Sequence, residues 1–180
     1  MTTAWVALLR GVNVGGVTIR NADLTALMRD GLGFAEVRTV LASGNVAFET
    51  DAAPSKRAKL KSSIEDALRE RFGYDAWIVL VTAAEVEKAI AAFPFDAAVA
   101  ERQPWVIFGS DEAVLDELTD LAAALDPVAD PVARGAGVLY WNPVKGTTLG
   151  TPFAKLLARN AYRSSTTNRN LRTLQKILGR

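Results

Sequence analysis

Hydrophobic and polar positions in the first half of the chain follow two periods, one typical of strands and the other of helices. The apolar run at residues 3–9 predicts a buried strand. Segment 56–72 places leucine or isoleucine at every fourth position among charged residues, which predicts an amphipathic helix with Gly73 beyond its end. Asn21 is the expected N-cap of a helix. Three more strand-like runs complete the pattern, at 36–41, 45–50 and 75–81.

The predicted order is therefore β-α-β-β-α-β, the split βαβ unit of ferredoxin-like folds. Thr82 and Glu85 have the spacing of a capping box and predict one further helix, to about Ala92. From Pro104 the order recurs. A strand at 105–108 is followed by a helix at 111–124 capped by Ser110, and then by strands at 128–133 and 138–141. Thr151-Pro152 opens the next helix, and an extended segment at 161–165 leads to a last helix that runs to 178.

The pattern favours an α+β fold of two ferredoxin-like (α/β-plait) units in tandem, each followed by an extra helix. We expect the first unit at 1–92, a connector at 93–103 and the second unit at 104–180. One continuous, doubly wound mixed sheet is the competing architecture. The hairpins predicted at Ser43-Gly44 and Gly135–Gly137 argue against it, because an all-parallel sheet has no two-strand reversals.

Charge is distributed very unevenly along the chain. Residues 1–130 hold 12 Lys and Arg against 20 Asp and Glu, whereas residues 131–180 hold 9 against 0. The net charge of +1 is therefore the sum of −8 and +9. Such asymmetry indicates an anionic partner, or a basic end that packs against the acidic body of the same chain.

Composition excludes several kinds of chemistry, because the chain has no cysteine and no histidine. A thiol nucleophile, a Ser-His-Asp triad and an imidazole base are ruled out, and so is the usual nitrogen and sulfur site for zinc. Asp126 and Asp130 stand four apart and are the weak candidates for a divalent ion. We expect no metal and no cofactor, and no acid/base pair stands out, so an enzyme is the less favoured class.

The start of the chain, Met-Thr-Thr-Ala, lacks the basic and apolar regions of a signal peptide, and no apolar run is long enough to cross a bilayer. We expect a cytoplasmic protein without a membrane partner.

The glycine-rich segment 10–16 follows the first predicted strand directly, where a loop can turn backbone N–H groups toward an anion. Its sequence matches neither the dinucleotide-binding nor the P-loop pattern. An arginine fork, an amide side chain and three glycines make it a candidate anion site, consisting of Arg10, Gly11, Asn13, Gly15 and Gly16. The structural alternative is a wide turn that needs glycine for its backbone angles.

Two more segments are candidate functional sites. Ser43, Gly44 and Asn45 form the predicted hairpin, which we expect at the opposite end of its sheet from the loop after the first strand. Near the C-terminus, we place Thr167, Arg169, Asn170 and Thr173 where a strand ends and the last helix begins, a position at which a phosphate or carboxylate would bind. Thr167 or Asn168 is the expected cap of that helix.

Sheet-surface RNA recognition is disfavoured, since the predicted third strand holds Phe48 as its single aromatic residue.

Together, Leu8-Leu9-Arg10-Gly11-Val12-Asn13-Val14-Gly15-Gly16, Ser43-Gly44-Asn45-Val46 and Thr167-x-Arg169-Asn170-x-x-Thr173 resemble the bacterial family called domain of unknown function 1697. The resemblance extends over essentially the whole chain. It implies two α/β-plait domains of the ferredoxin-like kind. It implies no activity, because the family has no assigned biochemical function.

The sequence thus predicts a protein that binds an anionic ligand, such as a nucleotide, a phosphometabolite or a nucleic-acid backbone, through the glycine-rich loop and the basic helix start. The alternative is a non-catalytic interaction or self-associating module. An enzyme that uses Arg and Lys electrostatics on a phosphoryl or acyl substrate is the third class, and it lacks a visible general base.

Overall fold

The computed structural model describes residues 1–12, 17–42, 44–73 and 75–179. Its contacts group into two units, one made of Met1–Glu87 with Gln175–Arg180 and the other of Lys88–Leu174. The division falls inside a helix, and the last six residues join the first unit. The segment predicted as a connector, 93–103, is grouped with the second unit.

In the described residues, the main elements of the first unit are four strands, two complete helices, the start of a third helix and the end of the last one. In chain order, those that precede the last helix are β1 (Thr3–Arg10), α1 (Asn21–Ala26), β2 (Ala35–Val40), β3 (Asn45–Thr50), α2 (Arg57–Phe72), β4 (Trp77–Thr82) and α3 (Ala83–Ala91). The cap of α1 is Arg20 and not Asn21, because Arg20 is still extended and Asn21 is already the first helical residue. A π-helical turn, Leu27–Gly31, continues α1. Helix α2 ends where Gly73 adopts a left-handed conformation, with φ of 67°, as the glycine after the amphipathic segment predicted.

The first sheet is antiparallel throughout, with the strand order β2-β3-β1-β4. Residues alternate between its two faces, so one face of β1 carries Trp5, Ala7 and Leu9. These side chains pack with the buried face of α2, whose apolar residues recur every fourth position, namely Leu60, Ile64 and Leu68. The other face of β1 bears no helix from α1 or α2.

The second unit repeats this order with different residues. Its elements are β5 (Trp105–Gly109), α4 (Glu112–Ala122), β6 (Val132–Gly135), β7 (Val138–Trp141), α5 (Pro152–Leu157), α6 (Asn160–Arg163), β8 (Thr166–Asn170) and most of α7 (Leu171–Ile177). The sheet is again antiparallel, with the order β6-β7-β5-β8. Ile107, Leu139 and Trp141 face the helices, which contribute Leu115, Leu118, Phe153, Leu156 and Tyr162 to the core.

The expected α+β architecture with two tandem units is confirmed at this level: two four-stranded antiparallel sheets are each covered by helices. The strands pair in two separate sheets and not in the single mixed sheet of the competing architecture. In the described residues, no helix combines the length and the apolar character that crossing a membrane requires.

Three local predictions in the second half are wrong. Helix α4 is capped by Asp111, whose Oδ1 accepts from the Val114 N–H at 3.0 Å, and not by Ser110. Segment 126–130 turns, because the Asp126 carboxylate accepts from Val128 N–H, so the strand starts only at Val132. Segment 161–165, expected to be extended, includes the end of α6.

The capping box at the start of α3 is present as predicted. Glu85 Oε2 accepts from the Thr82 N–H at 2.7 Å, and Thr82 Oγ1 accepts from the Glu85 N–H at 3.2 Å. Arg57 donates to the same carboxylate at 2.8 Å. Burial of the carboxyl group opposes its ionisation, but the hydrogen bonds from Thr82 and Arg57 outweigh this, and the pKa of Glu85 is lowered.

This lowered pKa predicts a pH-dependent contribution to stability. A carboxyl whose pKa is depressed in the folded state stabilises that state above its unfolded pKa, about 4.3, and loses the effect as the pH falls. Glu85→Gln should therefore reduce the free energy of unfolding at neutral pH and have a smaller effect in acid, as measured by urea unfolding. Exposed Glu70→Gln serves as the control. An equal deficit of Glu85→Gln at both pH values would contradict this account.

Candidate functional site

The glycine-rich segment leaves the first sheet at the end of its central strand. Arg10 is the last residue of β1, is half-buried and lies opposite Trp77, the first residue of β4. Gly11 follows with φ of +72°, in the left-handed region that glycine adopts without strain. The backbone therefore turns directly after Arg10.

The β2–β3 turn lies beside this segment, and our expectation that it occupies the opposite end of the sheet is wrong. Leu8 pairs with Asn45, and the Leu9 N–H donates to the Gly44 carbonyl at 2.8 Å. The physical reason is the strand order. Strand β3 is antiparallel to β1 and β2 is antiparallel to β3, so β2 runs in the direction of β1 and the two strands end at the same edge.

Gly44 is needed for close packing as well as for its turn conformation. It has φ of +73°, and a Cβ at this position would stand 2.8 Å from the Cβ of Leu9 and 3.5 Å from that of Val12. The turn thus contacts both the last residues of β1 and the start of the loop.

The side chain of Asn45 joins the two ends of the turn. It is 1% exposed, and its Nδ2 donates to the Val40 carbonyl at 2.9 Å, across the two ends of the hairpin. The adjacent α1 approaches the same turn, since Asn21 Nδ2 donates to the Leu41 carbonyl at 3.0 Å. Asn45 therefore holds the shape of the turn.

Four of the predicted site residues lie outside the described part of the chain, namely Asn13, Gly15, Gly16 and Ser43.

The C-terminal motif lies where a strand ends and the last helix begins, as predicted, but the strand extends further than expected. Thr167, Arg169 and Asn170 lie in strand β8, because residues 166–170 pair with β5 along their whole length. Their backbone groups are part of a sheet ladder, and β-branched threonine favours that conformation. The cap of α7 is Asn170 rather than Thr167 or Asn168: its Oδ1 accepts from the Arg172 N–H at 3.0 Å.

Arg169 is buried and engages its own strand. The side chain is 9% exposed, and Nη1 donates to Thr167 Oγ1 at 2.7 Å and to the Asn168 carbonyl at 3.0 Å. Thr173 is partly buried on α7. Arg10 belongs to the first unit and Arg169 to the second.

Most of the described cations at the basic end of the chain make no ion pair. Arg134 pairs with Glu112 and Asp116, the latter at 3.0 Å. Within the described residues, six other cations of this end are exposed and make no ion pair: Lys145, Lys155, Arg159, Arg163, Arg172 and Lys176.

The pair of aspartates has a structural role. Asp130 is 3% exposed and accepts from Trp141 Nε1 at 2.9 Å and from the Phe153 N–H at 3.0 Å, so it joins β7 to the start of α5. Across the part of the chain that the structure describes, no group of three or more acidic residues is arranged to hold a metal ion.

Sequence reasoning missed Arg38. This side chain lies on β2 and donates to the carbonyls of Lys176, at 3.2 Å, and Ile177 at the end of α7. The signal available in the sequence was the pair Glu36 and Arg38, separated by one apolar residue on a predicted strand. The partner of Arg38 stands more than a hundred residues away and gives no local signal.

The fold defines a class of α+β protein with two four-stranded antiparallel sheets of the same strand order. The chain belongs to the family described as a protein of unknown function (DUF1697), whose model matches residues 1–140. The matched region contains the glycine-rich segment and the β2–β3 turn, whereas the motif at 167–173 lies beyond it.

A solved structure has the same fold. A conserved bacterial protein from Streptococcus pneumoniae superimposes with a TM-score of 0.79, covering 98% of this chain and 97% of its own, at 22% sequence identity. No curated protein matches the chain.

Close packing of the turn predicts a specific loss of stability. Gly44→Ala and Gly73→Ala both introduce a side chain at positive φ, which costs about 1–2 kcal/mol. A Cβ at residue 73 meets nothing within 4 Å, whereas one at residue 44 meets Leu9. In urea unfolding, we expect Gly44→Ala to lose at least about 1 kcal/mol more than Gly73→Ala, because of overpacking. Equal losses would show that the turn does not pack closely on β1.

Proposed function

We propose that this protein binds an anionic ligand at the edge of the first sheet where the end of β1 meets the β2–β3 turn. The observation that carries the proposal is the hydrogen bond from the Leu9 N–H to the Gly44 carbonyl, at 2.8 Å. It holds two glycine-containing segments side by side, so both are available to one ligand.

Arg10 supplies the charge in this proposal. A guanidinium presents two parallel N–H groups that match a carboxylate or phosphate. Arg10 is half-buried at the strand end, and partial removal from water strengthens a charge-assisted hydrogen bond. Asn13, Gly15 and Gly16 continue the loop in the sequence, and they are predicted to add side-chain and backbone donors.

The basic end of the chain supports an anionic class of ligand independently. Its six exposed cations have no carboxylate partner in the described residues. Uncompensated positive charge attracts anions over distances near the Debye length, about 10 Å at 0.1 M salt. A nucleotide, a phosphometabolite and a nucleic-acid backbone all fit this chemistry.

The motif on β8 has a smaller part in the proposal. Arg169 Nη1 already binds Thr167 and the strand backbone, so it is suited to holding β8 in place. Ligand contacts by Thr167, Arg169, Asn170 and Thr173 stay a prediction.

Thermal unfolding followed by fluorescence tests the proposal with ATP, inorganic phosphate and a short RNA as probes. At a probe concentration of 100 times Kd, binding adds about 2.7 kcal/mol of stability. We expect at least one probe to raise the Tm of the wild type and not that of Arg10→Ala.

Arg29→Ala is the matched control, because Arg29 is an exposed arginine that pairs with its neighbour Asp30. It should keep the wild-type response. The proposal fails if no probe raises the Tm, or if Arg10→Ala responds as the wild type does. For RNA, binding that does not weaken with added salt would exclude phosphate contacts.

We also infer that each unit has the ferredoxin-like topology. The order β-α-β-β-α-β supports this in both halves, as do the antiparallel sheets ordered second, third, first and fourth strand. In the second unit, α5 and α6 together occupy the place of the second helix.

A further inference from the structure

A cleft in the first unit has no role in the function proposed above. It has a volume of about 520 Å³, within the range of small-molecule sites, about 300–1,000 Å³. It opens on the face of the first sheet opposite α2, toward the end where β1 begins. Ala4 and Ala47 line it from neighbouring strands, and Ala83 lines it from the start of α3. Small side chains at these positions leave the space open.

One wall of the cleft is the C-terminal segment. Ile177 and Leu178 line it, and Arg38 fixes this segment by donating to the carbonyls of Lys176 and Ile177. These carbonyls are at the C-terminal end of α7, where helix carbonyls lack intrahelical donors and a cation is favourable. Arg38 thus holds the wall in place and keeps its positive charge.

Two carboxylates remain at the cleft, those of Glu36 and Glu49. Strand β2 bulges between Ala35 and Arg38, and Glu36 has φ of +47° in this bulge. A bulge changes the direction of a side chain on an edge strand. In the described part of the chain, neither carboxylate has a hydrogen-bond or ion-pair partner.

We propose that this cleft binds a small organic cation, with its ammonium or guanidinium group between Glu36 and Glu49 and its alkyl part over the alanine surface. Charge complementarity selects the ligand class, since within the described residues the cleft presents two carboxylates without a partner and one arginine, which is hydrogen-bonded to the helix end. The alanine side chains provide an apolar surface for a short alkyl chain.

Nuclear magnetic resonance titration of the full chain with putrescine tests this site. The neutral isostere 1,4-butanediol is the matched ligand control. We expect saturable shifts of the amide resonances of Ala4, Ala47 and Ala83 with putrescine and none with the diol. Glu36→Gln and Glu49→Gln should each weaken binding by about tenfold or more, because a charged hydrogen-bond partner is lost.

Glu70→Gln, on the exposed surface of α2, should bind like the wild type. Unchanged spectra outside the cleft will show that the variants are folded. The proposal is overturned by the absence of saturable shifts, by equal shifts with the diol, or by an equal weakening in Glu70→Gln. Because Arg10 and Gly44 are at the other end of the sheet, this result is independent of anion binding.

Discussion

Strand β1 is the element on which the first unit depends, because it is hydrogen-bonded to both β3 and β4 and carries buried side chains on both faces. Its pairing with β3 brings the end of β1 against the β2–β3 turn, and Gly44 allows the close approach. At its other end, Ala4 lines the cleft. Six residue steps separate Ala4 from Arg10, about 20 Å at the rise of an antiparallel strand. A single strand therefore positions two chemically different surfaces.

Helices and strands with strong local signals were predictable from the sequence. Helix α2 has a regular apolar spacing and a terminal glycine, and α3 has a capping box whose two hydrogen bonds are both present. Strand β8 was not predictable in the same way. Its Thr-Thr-Asn-Arg-Asn sequence contains good capping residues, and only pairing with β5 makes it a strand. Tertiary pairing here overrides the local preference.

The proposed site uses residues that the sequence singled out, but the arrangement of those residues was not predictable. Arg10 and Gly44 stand out in the sequence. They lie at the same end of the sheet because β1 pairs with β3 and β3 pairs with β2, both antiparallel, and the order of elements does not by itself indicate these pairings. The contact between Arg38 and the end of α7 joins residues 138 and 139 positions apart. Such contacts have no sequence periodicity, so no local pattern could indicate them.

The central claim is that the end of β1 and the β2–β3 turn form one ligand site. A titration of the isotopically labelled protein with inorganic phosphate or ATP, followed through the amide resonances of Gly11 and Gly44, tests it most directly. The account predicts that both resonances shift together and give the same Kd. Shifts confined to one of the two segments, or found only elsewhere in the chain, would contradict it.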